Sequence, residues 1–260
     1  MPKPLALFLL SAAVLVAAVV FWPSTKPPAA VHYAAVLDWS DSMPADVDFF
    51  VDAVRTGIVE PLHNGPIEPG ATVDLFVVGA NSLTEPFHLE IPPLGGSLAS
   101  DTDAKQKLAA AEPAILSFVR VSLSGTRATA TALLETLPRL PIDRDLRILV
   151  ISDAKQASAK TINLEKTKIT PVNKDVLVRT AMTAIGPLDG RLVGAQIQFR
   201  LPALPPGVAD RSVNDAAALE SFWRAFLRVA APQARLISFD SRIVPWKSSP
   251  MEGNNDGTGQ

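Results

Sequence analysis

The chain has 260 residues and 48% of them are apolar, enough for one sizeable α/β domain or at most two small ones. Its formal net charge is −2, with acidic and basic residues mixed along the chain, which argues against a nucleic-acid partner. There is no cysteine, which excludes disulfides, thiol catalysis and thiolate ligands, and the spacing of the three histidines matches no zinc site.

The first predicted element is a membrane-spanning helix. Residues 5–22 are apolar apart from Ser11, and at 1.5 Å per residue they would extend about 27 Å, close to the hydrocarbon thickness of a bilayer. The run is longer than the apolar core of a cleaved signal peptide and ends in Phe-Trp-Pro, so residues 1–22 are interpreted as a signal anchor, with a cleaved signal peptide as the alternative. Residues 23–30 are predicted to be a stiff, proline-rich linker.

The composition of the remaining chain bears on its location. No position has the Asn-x-Ser/Thr pattern of a glycosylation acceptor. An exported domain with neither sequon nor disulfide is more typical of a bacterial periplasm than of a eukaryotic cell surface. The sequence therefore predicts a single-pass protein of a bacterial inner membrane with its main domain in the periplasm, or a secreted form if the first segment is cleaved.

The second element is an apolar strand that ends in a polar loop. Residues 31–37 are typical of a buried parallel strand, and the loop that follows places Asp38, Ser40 and Ser42 at alternate positions. Their side-chain oxygens can therefore face one point, and one carboxylate with two hydroxyls suits Mg²⁺ or Mn²⁺. The alternative is that the serines only cap a helix predicted to begin at Pro44. Trp39 and Asp41 face the other way and are candidate partner contacts or surface packing residues.

Further strands and helices alternate after this loop. Helices are predicted at residues 44–62, in two stretches of 101–121 with Pro113 starting the second, and at 129–137, 175–185 and 214–230. Strands are predicted at 71–79, 85–91 (an edge strand), 146–152, 192–201 and 235–239. Residues 154–173 are a Lys-rich loop and residues 241–260 are predicted to be a disordered tail.

This alternation predicts an α/β fold over residues 31–240: a doubly wound, Rossmann-like, mostly parallel sheet with helices on both faces. In such folds, sites form beyond the carboxyl ends of the strands, near the switch in strand order. Asp38 and Asp153 both follow strands, so they are predicted to share a site.

The segment DWSDS at residues 38–42 resembles the DxSxS metal-ion-dependent adhesion site (MIDAS) of a von Willebrand factor A (vWA) domain. Gly125-Thr126 and the strand-terminal Asp153 follow in the order that this family has. The resemblance implies a vWA-like domain that binds Mg²⁺ or Mn²⁺. It implies that the metal is contacted, directly or through water, by Ser40, Ser42 and Thr126, and that its charge is balanced by Asp38 and Asp153.

Two departures from the family pattern concern this ligand set. The sequence separation between Thr126 and the Ala132-Leu133 pair is longer than usual, so either the loop has one extra residue or Thr129 supplies the ligand. Ala154 follows Asp153 where the family commonly has glycine.

The sequence thus predicts a membrane-anchored binding module, not an enzyme, with no organic cofactor. The metal would engage an Asp or Glu of a protein partner, and Trp39, Asp41 and Lys155 are further candidate partner contacts. One alternative is a metal-independent, vWA-like scaffold. The other is a phosphatase-type hydrolase with Asp38 as nucleophile, but such an enzyme needs an acid/base aspartate where the chain has Ser40.

Overall fold

A six-stranded sheet forms the centre of the fold. In chain order its strands are β1 (Val31–Asp38), β2 (Ala71–Val78), β3 (Phe87–Ile91), β4 (Leu146–Ile151), β5 (Gln196–Arg200) and β6 (Arg235–Asp240). The spatial order is β3-β2-β1-β4-β5-β6, and every neighbouring pair is parallel except β2 and β3. The predicted mostly parallel, doubly wound sheet is confirmed, with β3 as an antiparallel edge strand.

This computed structural model describes residues 30–65, 70–78, 86–93, 98–142, 145–188, 190–203 and 213–247. The predicted signal anchor and nearly all of the linker lie outside these ranges. Within them, no helix has both the length and the apolar character that crossing a bilayer requires.

Helices cover both faces of the sheet. They are α1 (Val47–Val54), continued by a π-helical turn (Arg55–Val59) into α2 (Glu60–Asn64), then α3 (Leu98–Ser122), α4 (Leu133–Thr136) with a 3-10 turn (Leu137–Arg139), α5 (Lys174–Ile185) and α6 (Ala216–Ala230). Helices α1 to α3 pack on one face and α4 to α6 on the other. The two apolar layers bury all of β1 after Val31 between β2 and β4, so the loop that follows β1 starts from a well-packed strand.

Helix α3 is continuous where the sequence predicts two helices. Pro113 lies inside it, although proline removes one intrahelical hydrogen bond. Ala111, Ile115 and Val119 lie on one face of the helix on either side of the proline, and all three are fully buried. Packing of this face against the sheet therefore outweighs the local cost of proline.

Residues 241–247 correct the prediction that the chain is disordered from residue 241. The Trp246 indole donates a hydrogen bond to the Gly57 carbonyl at 2.7 Å. The side chain of Gln196 on β5 bonds both backbone groups of Lys247, at 2.7 Å and 2.9 Å. These backbone groups are satisfied by glutamine side chains instead of by a strand ladder, so no strand pattern marks the segment. The predicted tail beyond residue 247 lies outside the described residues.

Candidate metal centre

The polar loop after β1 lies where the strand order switches. β1 has β2 on one side and β4 on the other. The chain builds the sheet outward from β1 first through β2 and β3 and then, in the opposite direction, through β4, β5 and β6. Leu37 pairs with Ile151, so Asp38 and Ser152 emerge side by side from adjacent strands, and Asp153 follows. The structure thus brings the loops of Asp38 and Asp153 to one edge of the sheet.

The Asp38 carboxylate lies at the base of the candidate site, at the carboxyl ends of the strands, and is completely buried. It accepts hydrogen bonds from the Ser152 hydroxyl at 2.6 Å and from the Thr131 hydroxyl at 3.2 Å. Burial raises the pKa of Asp38 to about 7, and the nearby charge of Asp153 acts in the same direction, against the lowering effect of the hydroxyl donors. A positive charge at this point would favour the ionised carboxylate.

Ser40 and Ser42 place two hydroxyl oxygens 3.1 Å apart. Neighbouring ligands of an octahedral Mg²⁺, each at 2.0–2.1 Å from the ion, are about 3 Å apart, so the two oxygens suit adjacent coordination positions. Ser40 is buried and Ser42 is exposed, so Ser40 lies in the interior of the site and Ser42 lies on its solvent side. The alternative of a helix cap does not hold, because the Asp46 carboxylate caps α1.

Asp153 supplies a second buried carboxylate, 7% exposed. Its Oδ1 atom accepts a hydrogen bond from the Lys155 backbone N–H at 3.1 Å, whereas Oδ2 accepts none among the described residues. The Lys155 ammonium lies 3.4 Å from Oδ2, an ion-pair contact that is too long for a good hydrogen bond. A buried carboxylate oxygen that accepts no hydrogen bond is a free position at which a cation could be held.

Glu165, on the loop that follows Asp153, is an acidic group that interacts electrostatically with Asp153. Burial raises the pKa of Glu165, as does the charge of Asp153, while the charges of Lys155 and Lys166 lower it. Asp153 thus acts on both Asp38 and Glu165, so acidic groups repel one another around it. A bound cation would relieve this repulsion.

The threonine beside Asp38 is Thr131 and neither of the two that the sequence suggests. Thr126 and Thr129 are both exposed, whereas Thr131 is completely buried. Ala128 pairs with the loop through hydrogen bonds with the Trp39 carbonyl at 2.9 Å and the Asp41 N–H at 2.8 Å. This pairing keeps Thr126 outside, and the chain then turns inward so that Thr131 reaches Asp38.

Replacing Thr131 by valine should lower the unfolding free energy by about 1–2 kcal/mol, because the buried Asp38 carboxyl loses a donor while the side-chain volume is kept. The matched variants Thr126→Val and Thr129→Val should change it by less than about 0.5 kcal/mol. Urea denaturation of the three variants would measure this. A cost at Thr126 that equals the cost at Thr131 would contradict the assignment.

Arg127 holds the two loops together and was not identified from the sequence. Its guanidinium donates to the carbonyl of Ser40 at 3.1 Å through Nε, and its terminal nitrogen donates to the carbonyls of Ser40 and Met43. It also lies over the ring of Trp39, 5.1 Å from the centroid. The backbone that carries Ser40 and Ser42 is therefore fixed by a side chain from the neighbouring loop.

The three predicted partner contacts are placed differently. Trp39 is 7% exposed, packs edge-on against Phe50 and donates its indole N–H to Gly125 at 3.1 Å, so it belongs to the core and cannot form a partner surface. The Asp41 side chain is 63% exposed and remains available. Lys155, at 19% side-chain exposure, is turned inward onto Asp153.

Ala154 has a backbone conformation that favours glycine. Its φ of 63° lies in the left-handed region, which costs a non-glycine residue about 1 kcal/mol or more. Its N–H donates to the Ser152 hydroxyl at 2.9 Å, and its carbonyl accepts the indole N–H of Trp223 at 3.0 Å. These two bonds hold the turn that positions Asp153.

The donor chemistry fits a hard divalent cation. Among the described residues, no cluster of three or more His, Cys, Asp or Glu side chains is arranged to hold a metal. Two acidic side chains with two hydroxyls would form a site of a different kind, in which serines and water complete the coordination sphere. Such a site suits Mg²⁺ or Mn²⁺ and gives little affinity for softer metals.

No protein-family model and no curated protein sequence matches the chain. Among solved structures, it is similar to a von Willebrand factor type A protein from Catenulispora acidiphila, at 12% identity and a TM-score of 0.34, covering 81% of this chain and 38% of that one. It is also similar to a mutant of the PilB minor pilin from Streptococcus sanguinis, at 11% identity and a TM-score of 0.45, covering 83% and 58%. A third structure is the manganese-loaded TRAP protein of Plasmodium vivax, at 13% identity and a TM-score of 0.27, covering 82% and 70%.

The strand order, the antiparallel edge strand and the polar loop at the end of β1 together give the chain the doubly wound, mostly parallel α/β fold that its sequence predicts.

Proposed function

We propose that the chain is a membrane-anchored binding module that holds Mg²⁺ or Mn²⁺ at the carboxyl edge of its sheet and uses it to engage an Asp or Glu of a protein partner. The observation that supports this most is the buried Asp153 oxygen without a hydrogen bond, at an edge where two serine hydroxyls lie 3.1 Å apart. A MIDAS-type site has this combination of few charges and several hydroxyls.

The residues of the site would have different roles. Ser40 and Ser42 would contact the ion through neutral oxygens, so that the ion keeps most of its charge for an incoming carboxylate. Asp38 and Asp153 would balance part of that charge, and Thr131 holds the Asp38 carboxyl in place. Because Ser42 is exposed, a partner would approach from its side.

The direction of β1 supports a site that faces away from a membrane. The strand begins at Val31, immediately after the proposed anchor and linker, and ends at Asp38. Eight residues of strand extend about 26 Å, so a membrane at the amino edge would lie on the opposite side of the domain from the site. In the proposed topology the site faces the bacterial periplasm, where an envelope partner could reach it.

Two other functions have less support. A metal-independent scaffold is favoured by one observation, the Lys155 ammonium against Asp153, since an internal cation can partly replace a metal. A phosphatase-type hydrolase is disfavoured because Asp38 is completely buried, hydrogen-bonded by Ser152 and Thr131, and followed two residues later by Ser40 in place of an acid/base aspartate.

A peptide-binding experiment tests the proposed function. We expect the full chain to retain members of a pool of short peptides that share one central aspartate in the presence of Mg²⁺ or Mn²⁺, and to lose them in EDTA. A pool with asparagine at that position is the matched control, because it keeps shape and removes the charge. Retention that is equal for both pools, or that survives EDTA, would favour the scaffold.

A further inference from the structure

We infer that the Lys155 side chain is a built-in competitor for the cation: its ammonium lies against Asp153 and must leave before a divalent cation can bind there. The inference rests on the proposed function and adds a residue that sets how tightly the site binds its ion. It replaces the interpretation of Lys155 as a contact for a partner.

The position of Lys155 carries the inference. Its backbone N–H donates to Oδ1 of Asp153 at 3.1 Å, and its ammonium lies 3.4 Å from Oδ2 of the same carboxylate. The two side chains are 19% and 6% exposed, so this pair is largely shielded from water. A buried carboxylate needs a counter-charge, and Lys155 is the cation that contacts it.

The contact is also of a kind that a stronger cation can displace. The ammonium is in ion-pair range of Oδ2, which still accepts no hydrogen bond among the described residues. A lysine stem has several rotatable bonds, so the charged end can move while the backbone bond to Oδ1 stays. An ammonium and a divalent ion repel each other and cannot both lie against one carboxylate oxygen.

Glu165 is a second acidic group within the electrostatic influence of Lys155. It lies on the same loop as Lys155, and the charges of Lys155 and Asp153 both act on its carboxyl group. Exchanging one positive charge for another brings no gain, so this arrangement also favours divalent over monovalent ions.

Manganese titration of the full chain tests the inference. Unbound Mn²⁺ is quantified by electron paramagnetic resonance for the wild type, for Lys155→Met and for Lys155→Gln, whose folding is checked by circular dichroism. We expect both variants to bind Mn²⁺ about tenfold more tightly or better, because the competitor is gone. Lys160→Met, which removes the same charge from an exposed position of the same loop, should stay within about twofold of the wild type.

A measurement without metal separates competition from a general charge effect. In EDTA, the Lys155 variants should have a lower thermal midpoint than the wild type, because Asp153 loses its counter-charge, and Mn²⁺ should restore it.

Wild-type binding of Mn²⁺ that is equal to or tighter than that of the Lys155 variants would overturn the inference and leave the proposed function intact. If neither the wild type nor any of the variants binds Mn²⁺, both the inference about Lys155 and the proposed function are overturned.

Discussion

Replacing Trp39 by alanine is expected to lower the unfolding free energy by about 3–5 kcal/mol, the range for removing a large buried aromatic side chain. The ring is 7% exposed and packs edge-on against Phe50, with centroids 5.5 Å apart. Its indole N–H is bonded to the Gly125 carbonyl, and the Arg127 guanidinium covers its face. Truncation therefore leaves a cavity under the loop that carries the serines and frees Arg127 from one of its contacts.

Asp41→Ala is the matched control, because Asp41 belongs to the same loop and was an equally good candidate for a partner contact. Its side chain is exposed and lies 4.0 Å from the Arg127 guanidinium, an ion pair worth little in water. This variant should change the unfolding free energy by less than about 0.5 kcal/mol. Urea denaturation followed by far-ultraviolet circular dichroism compares both proteins. A cost below about 1 kcal/mol for Trp39→Ala would mean that the ring is not part of the core.

The sheet and the position of Asp38 were predictable, since both depend on short stretches of sequence. A parallel strand that is buried on both faces has an unbroken apolar run, and β1 has one that ends at Asp38. β4 has the same character and is followed by Asp153. Strand alternation then placed both carboxylates at one edge.

The wrong prediction for Trp39 has a simple physical cause. Alternation along the loop indicated correctly that Trp39 faces away from the serines. It does not reveal what lies on that side, and helix α1 covers it with Phe50. A residue that faces away from a site can therefore face either the core or the solvent.

Local sequence does not encode the contacts that place three further side chains at the site, those of Thr131, Arg127 and Lys155. Thr131 reaches Asp38 across 93 positions of chain because Ala128 pairs with the loop after β1. Lys155 follows Ala154, whose positive φ is a conformation that sequence patterns assign to glycine. Tertiary contacts decide all three positions.

The largest expected effect on binding is the loss of the cation response when both serines are replaced. Ser40→Ala/Ser42→Ala removes the two hydroxyl oxygens that the structure places 3.1 Å apart at the end of β1. The carboxylates of Asp38 and Asp153 stay, so the negative charge of the site is unchanged. The site has lost two of its oxygen ligands. We expect binding of Mg²⁺ and Mn²⁺ to fall below detection. Ser124→Ala, an exposed serine near the same edge, is the matched control and should respond to both ions like the wild type.

The thermal midpoint of the full chain in EDTA, Mg²⁺ and Mn²⁺ tests the metal site most directly. A cation that binds only the folded protein, at 100 times its dissociation constant, adds roughly 2.7 kcal/mol, which corresponds to about 5–10 °C for a domain of this size. The metal centre predicts such a rise for the wild type and for Ser124→Ala, and none for Ser40→Ala/Ser42→Ala. Midpoints that stay the same in all three solutions for the wild type, or a rise of equal size in the double variant, would contradict a metal centre at these serines.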